Sequence, residues 1–193
     1  MAGLILTGGR STRMGRDKAT LVIDGEPLAR RLAALLAAVT RPALEVGPGS
    51  SGLATADPDP REGPLAAIAA GWRSLGKLGH CGPVLVIATD LPRLTIEVLG
   101  WLAGRSETVS VVPVVQGRPQ SLCARWCRAD LDRAVELVGR GERAVHAALG
   151  PGTAFLDEGA WGYVAPALAF QDVDRPEDLA GSGDPSAIAP EAP

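Results

Sequence analysis

The run Leu4-Ile5-Leu6-Thr7 breaks straight into Gly8-Gly9, and the nine residues that follow include Ser11, Thr12, Arg13, Asp17 and Lys18. A short apolar run closed by two glycines predicts a buried strand over Gly3–Thr7 that ends in a tight turn. A core strand needs no arginine and lysine after it. A site for a phosphate chain does. Glycines let backbone N–H groups approach an anion closely, and successive N–H groups form a concavity for it. Arg13 supplies a planar fork for non-bridging oxygens and Lys18 a point charge, while Ser11 and Thr12 add hydroxyl donors. Asp17 is read as orienting the backbone or Lys18, because a free carboxylate would be repelled by the same anion. Two generic phosphate loops are excluded. Five residues separate Gly9 from Gly15 and Lys18 is followed by Ala19, so there is no Walker A loop, and no G-x-G-x-x-G spacing follows Thr7.

The rest of the chain alternates apolar strands with helical segments. Leu21-Val22-Ile23 reads as a short extended piece closed by the turn pair Asp24-Gly25. Pro27 is expected at the first position of a helix over Leu28–Val39, where its missing N–H costs nothing. Ala43–Gly47 is a candidate strand, residues 49–63 a loop, and Pro64 the start of a helix that follows Gly63. Val84–Ala88 is an apolar strand that stops abruptly at Thr89-Asp90. A helix over 95–103, a strand over 108–115 and a turn at 116–121 leading into a strand or a helix come next. Ala129–Leu149 is expected to be helical, and a last helical start is placed at Pro176. This alternation implies an α/β sheet, largely parallel and covered on both faces. In such sheets ligands sit beyond the carboxyl ends of the strands. Two ends stand out: Gly8-Gly9 and Asp90.

The 193 residues suggest one domain with a tail: residues 1–180, then a Pro/Gly/Ala-rich stretch, 181–193, expected to be disordered. A net charge of −3 gives no footprint for nucleic acid and no polybasic run for a membrane surface. Three cysteines, Cys81, Cys123 and Cys127, argue against a disulfide framework and for a reducing compartment. Cys123 and Cys127 would share a face if helical. With only His80 and His146 beside them, they are read as small buried hydrophobes rather than zinc ligands. No signal peptide or membrane-length apolar run is visible, and a cytoplasmic location is expected.

LTGGRSTRMGRDK, Leu6–Lys18, resembles throughout the signature L-[AT]-G-G-x-S-x-R-M-G-x-D-K of nucleotidyltransferases, in the branch containing molybdenum cofactor guanylyltransferase. GPLAAIAAG (Gly63–Gly71) is similar to that family's G-P-L-x-G-[IL] helix start, with Ala67 where a glycine is common. VLVIATDLP (Val84–Pro92) resembles the strand that delivers a metal-binding aspartate. GRPQSL (Gly117–Leu122) is similar to the loop facing the acceptor, and DVDRPEDL (Asp172–Leu179) resembles the closing N-x-N-T-P-E-[DE]-L motif.

The resemblance implies a three-layer Rossmann-like nucleotidyltransferase fold with a mostly parallel central sheet. It also implies transfer of GMP from GTP to the phosphate of molybdopterin, with release of pyrophosphate and dependence on Mg2+. The nucleotide would be held by Leu6, Thr7, Gly8, Gly9, Ser11, Arg13, Lys18, Asp57 and Asp90, with Arg13, Lys18 and Asp90 catalytic. Asp90, Asp172 and Asp174 are the candidate metal ligands. Arg118, Gln120, Asp172 and Asp174 are the candidates for binding the acceptor. Asp172 and Asp174 replace the usual asparagines, and Arg175 the usual threonine. Aspartates there are familiar from cytidylyltransferase relatives, so CTP in place of GTP, or another small phosphate acceptor, stays open. A nucleotide-binding protein without turnover is the alternative outside the enzymes. Molybdoenzymes or their chaperones are the implied transient partners. The tryptophans Trp72, Trp101, Trp126 and Trp161 are read as packing or partner-facing residues.

Overall fold

A computed structural model of the protein describes residues 1–8, 22–23, 25–56 and 62–171. The boundary expected at residue 180, the tail and the helical start at Pro176 lie outside the described residues.

Every residue of β1 (Ala2–Leu6) and β6 (Val84–Ala88) is buried, as continuous apolar runs require when a strand is covered on both faces. They pair in parallel, Leu6 opposite Ala88. On the other flank β1 pairs in parallel with β4 (Ala43–Val46), and β4 with β5 (Ala54–Thr55). Beyond β6 the sheet continues through β9 (Cys123–Trp126), β7 (Val111–Val115) and β10 (Ala154–Leu156), in the order β10-β7-β9-β6-β1-β4-β5. β9 runs antiparallel to both β6 and β7, whereas β10 is parallel to β7. β8 (Arg118–Pro119) folds back on β7 as a hairpin, and β2 (Val22–Ile23) pairs with β3 (Glu26–Pro27) apart from the main sheet. The mostly parallel α/β expectation therefore holds, with β9 and the short β8 as the reversed strands.

Alternate side chains of the central strands feed two cores. Leu4, Leu6, Val84 and Val86 join the face that also takes Leu65, Ile68 and Leu75 of α2 (Pro64–Lys77) and Leu131 and Ala134 of α4 (Arg128–Gly139). Ile5, Leu85 and Ile87 join the other face, with Leu28, Leu32 and Leu36 of α1 (Leu28–Val39) and Val98, Leu99 and Leu102 of α3 (Ile96–Ala103). The indole of Trp72 on α2 donates to Asp132 of α4 at 2.7 Å, tying the helices of one face together. The result is three layers, helices on both sides of a sheet.

Three expectations are corrected in detail. Pro27 occupies the N-cap of α1 rather than its first turn. Cys123 and Cys127 share no helical face: Cys123 lies in β9 and Cys127 at the N-cap of α4, both buried, while Cys81 is exposed. The helix expected over Ala129–Leu149 stops at Gly139. There Gly141, at φ +84°, and Glu142 turn their N–H groups back to Val138 and Leu137, both at 3.0 Å, which satisfies carbonyls the helix leaves open. A separate 3-10 turn follows at Val145–Ala148. Of the strand or helix left open after the turn at 116–121, the strand forms, as β9 between β6 and β7. No helix among the described residues is long and apolar enough to cross a membrane.

Candidate active site

Three strand ends meet at the point where the chain leaves β1 in one direction for β4 and in the other for β6. The Leu6 carbonyl accepts from both the N–H and the hydroxyl of Thr89, each at 3.3 Å. Thr7 and Gly8 both turn their N–H groups to the Val46 carbonyl, at 3.1 and 3.3 Å. Gly8 and Asp90 each stand two residues past the Leu6–Ala88 pair, so they leave neighbouring strands at the same end of the sheet. This is a topological switch point, where open α/β sheets bind ligands. The Leu6 side chain is packed in the core, Thr7 is buried, and Gly8 is exposed.

Glu45 is the residue that sequence reasoning missed. It is fully buried in β4, and its carboxylate accepts from the Thr7 and Ser51 hydroxyls and from the N–H groups of Gly49, Ser50 and Ser51 at 2.7–2.8 Å. Burial alone would raise its pKa. The hydrogen bonds of Ser51 and Thr7, then the backbone bonds of Ser51 and Ser50, outweigh that and hold it below the usual carboxylate value. A single carboxylate thus locks the end of β1 to the loop after β4. Gly47 lets the two come together, since a methyl there would run into the Thr7 hydroxyl and stand 2.8 Å from the Gly8 nitrogen. The available signal was a lone acid inside the apolar run ALEV, followed by Gly-Pro-Gly-Ser-Ser.

A cavity of about 630 Å3 opens beside Asp90, within the range of small-molecule sites. Asp90, Arg118 and Gln120 all line it, so the metal and acceptor candidates among the described residues face one space. The Ala88 N–H donates to the Leu122 carbonyl at 2.9 Å and the Trp126 indole to the Ser121 carbonyl at 3.1 Å, which fixes the 117–122 loop to the strand that carries Asp90. Cys123 is buried nearby. Burial, and then the negative charge of Asp90, push its thiol well above the ordinary range, so it stays neutral and is no nucleophile. Gln171, the last described residue before Asp172 and Asp174, also lines the cavity and accepts from Arg93 at 2.7 Å.

Gly9, Ser11, Arg13, Lys18, Asp57, Asp172 and Asp174 lie outside the described residues. Ala67, at the place where a glycine is common, packs in the core on α2. Trp126 and Trp161 are fully buried and Trp72 nearly so, in keeping with packing roles. Among the described residues no cluster of three or more His, Cys, Asp or Glu could hold a metal.

The chain matches the model of the MobA-like NTP transferase domain over residues 3–153. A probable molybdenum cofactor guanylyltransferase of Mycobacterium tuberculosis is 36% identical over 158 residues, covering 76% of this chain and 78% of the relative. A protein of the same description from Deinococcus radiodurans is 33% identical over 193 residues, covering 93% and 92%. Among solved structures, molybdopterin-guanine dinucleotide biosynthesis protein A of Archaeoglobus fulgidus superposes with a TM-score of 0.75 at 19% identity, over 94% of this chain and 96% of that one.

Proposed function

The chain belongs to the MobA-like NTP transferase family and is a nucleotidyltransferase; on that footing we propose that it transfers GMP from GTP to the phosphate of molybdopterin. One observation carries the reading. Asp90 leaves the sheet beside Gly8 and lines the same cavity as Arg118 and Gln120, so a nucleotide at the glycine end and an acceptor in the cavity would meet at that aspartate.

In the reaction an oxygen of the acceptor phosphate attacks the α-phosphorus of GTP in line. The new P–O bond forms as the bond to the bridging oxygen breaks, and pyrophosphate leaves with the electron pair. The protein's task is positioning and charge neutralisation. Arg13 and Lys18 neutralise the phosphates, and backbone N–H groups of the glycine-rich segment beyond Gly8 cradle them, since the Gly8 N–H is taken by the Val46 carbonyl. Arg118 and Gln120 orient the acceptor. A magnesium ion suits the donor set, because it takes hard oxygen ligands and uses only one or two carboxylates. Asp90, which lines the cavity, would hold it, with Asp172 or Asp174 as the candidate second ligand. When bound, it supplies charge neutralisation on the phosphate oxygens.

Asp172 and Asp174, where guanylyltransferases carry asparagines, favour a second reading in which CTP is the donor. Thermal unfolding with GTP, CTP, ATP and UTP, with and without Mg2+, separates the two. A ligand at about 100 times its Kd adds about 2.7 kcal/mol to the folded state. A shift confined to GTP with Mg2+ supports guanylyl transfer. A shift confined to CTP moves the donor, and no shift with any nucleotide overturns both.

A further inference from the structure

Gln116 and Gly117 are the two central residues of the hairpin between β7 and β8, flanked by the pair Val115 and Arg118. Their φ angles are +48° and +75°, as in a type I′ turn. Gly117 adopts that conformation freely. Gln116 is the one non-glycine residue with positive φ among the described residues. Glycine, asparagine or aspartate is the usual choice there, because the left-handed region crowds any Cβ, and the short side chains of asparagine and aspartate offset this by bonding to the nearby backbone. Gln116 is therefore poorly suited to hold the turn alone.

Support comes from 42 residues further along the chain, where the backbone N–H of Gln116 donates to Glu158 Oε1 at 2.6 Å. Glu158 is the first residue of a short helix, α5 (Glu158–Trp161), capped by Asp157, whose carboxylate accepts from the Gly159 N–H at 3.1 Å. At the other end of α5, Trp161 is buried in the core, donates its indole N–H to the Leu156 carbonyl at 3.1 Å, and meets Phe170 edge-on at 4.9 Å. Gln116, Arg118 and Phe170 all line the cavity beside Asp90. A helix anchored in the core thus touches two walls of that cavity, one through a carboxylate and one through an aromatic ring.

We propose that Glu158 is a positioning residue for the acceptor side of the site: its carboxylate holds the Gln116–Gly117 turn and thereby fixes Arg118 against the cavity. The kinetic part of this inference rests on the transfer reaction proposed above; the structural part does not.

The test combines amide exchange of Gln116, followed by NMR on the full chain, with KM values for molybdopterin and GTP. Glu158→Ala is expected to speed exchange at Gln116 and raise KM for molybdopterin about fivefold, the scale of one lost hydrogen bond, with KM for GTP unchanged. Glu158→Gln keeps an oxygen that can accept and is expected to behave as the natural chain. Adding Gln116→Asn to Glu158→Ala is expected to restore most of the molybdopterin KM, because asparagine tolerates the left-handed turn and keeps the carboxamide. Unchanged exchange in Glu158→Ala, or equal rises in both KM values, would overturn the proposal. If the natural chain transfers no nucleotide, the transfer reading fails while exchange at Gln116 still decides the bracing role.

Discussion

The Thr7 hydroxyl donates to the Glu45 carboxylate across 38 residues of sequence, with both groups buried at the carboxyl ends of neighbouring strands. The bond joins the start of the glycine-rich segment to β4, and the same carboxylate holds the loop that follows β4. Two of the segments that converge on the switch point are therefore held in register by one acid.

Glu45→Ala strands the buried donors of Thr7 and Ser51, while the N–H groups of Gly49 and Ser50, nearer the surface, can turn to water. At about 1–3 kcal/mol for each buried unsatisfied group, partly relieved by relaxation, the expected loss of stability is about 3 kcal/mol or more. Denaturant unfolding measures it, and a loss below about 1 kcal/mol would show that the network is not structural.

The same carboxylate sets a pH dependence. Its folded pKa lies below the ordinary value of 4.5, so the folded state binds fewer protons there than the unfolded chain. The resulting stability is complete above pH 4.5 and is lost as the pH falls through the folded value. Glu45→Gln is expected to flatten this part of the acid limb in unfolding curves collected from neutral pH downward. An identical acid limb in the two proteins would contradict the assignment.

Gly47→Ala places a methyl against Thr7 and the Gly8 nitrogen. Overpacking of this kind costs about 1–3 kcal/mol, and because the obstacle includes backbone as well as the Thr7 hydroxyl, the end of β1 must shift. The expected outcome is weaker GTP binding by calorimetry, with the fold retained by circular dichroism. Unaltered GTP affinity would separate this strand end from the nucleotide.

Lys18→Ala is expected to lose about 2.7–4 kcal/mol of transition-state stabilisation, the scale for removing a preorganised charge-stabilising donor. Steady-state kinetics report this as a fall in kcat/KM. An unchanged value would remove Lys18 from the mechanism.

The parts of this molecule legible in the sequence are those specified by near neighbours. The apolar run before Gly8-Gly9, Pro27 ahead of an alanine- and leucine-rich helix, Pro64 after Gly63, and the strand that stops at Thr89-Asp90 each carry a local signal, and each element forms where that signal lies. The direction of β9 was not legible, because nothing in Cys123–Trp126 encodes which strands it joins. Glu45 was hidden for a similar reason: its donors come from Thr7 and from Gly49–Ser51, and one acid in an apolar strand does not name its partners. The turn at Gln116 was legible, but its support was not, because that comes from Glu158, 42 residues further along the chain. At the site, the motifs marked Asp90, Arg118 and Gln120, and these do share a cavity. The braces that hold the site are long-range contacts, and those are what a reading of single motifs misses.

The most direct test of the central claim is transfer of label from α-phosphate-labelled GTP to molybdopterin, with pyrophosphate followed in the same reaction, for the natural chain and for Asp90→Asn. The account predicts Mg2+-dependent labelled product and pyrophosphate in equal amounts from the natural chain, and loss of both in Asp90→Asn. Transfer that persists in Asp90→Asn, or a natural chain that binds GTP with Mg2+ and releases no pyrophosphate, would contradict it.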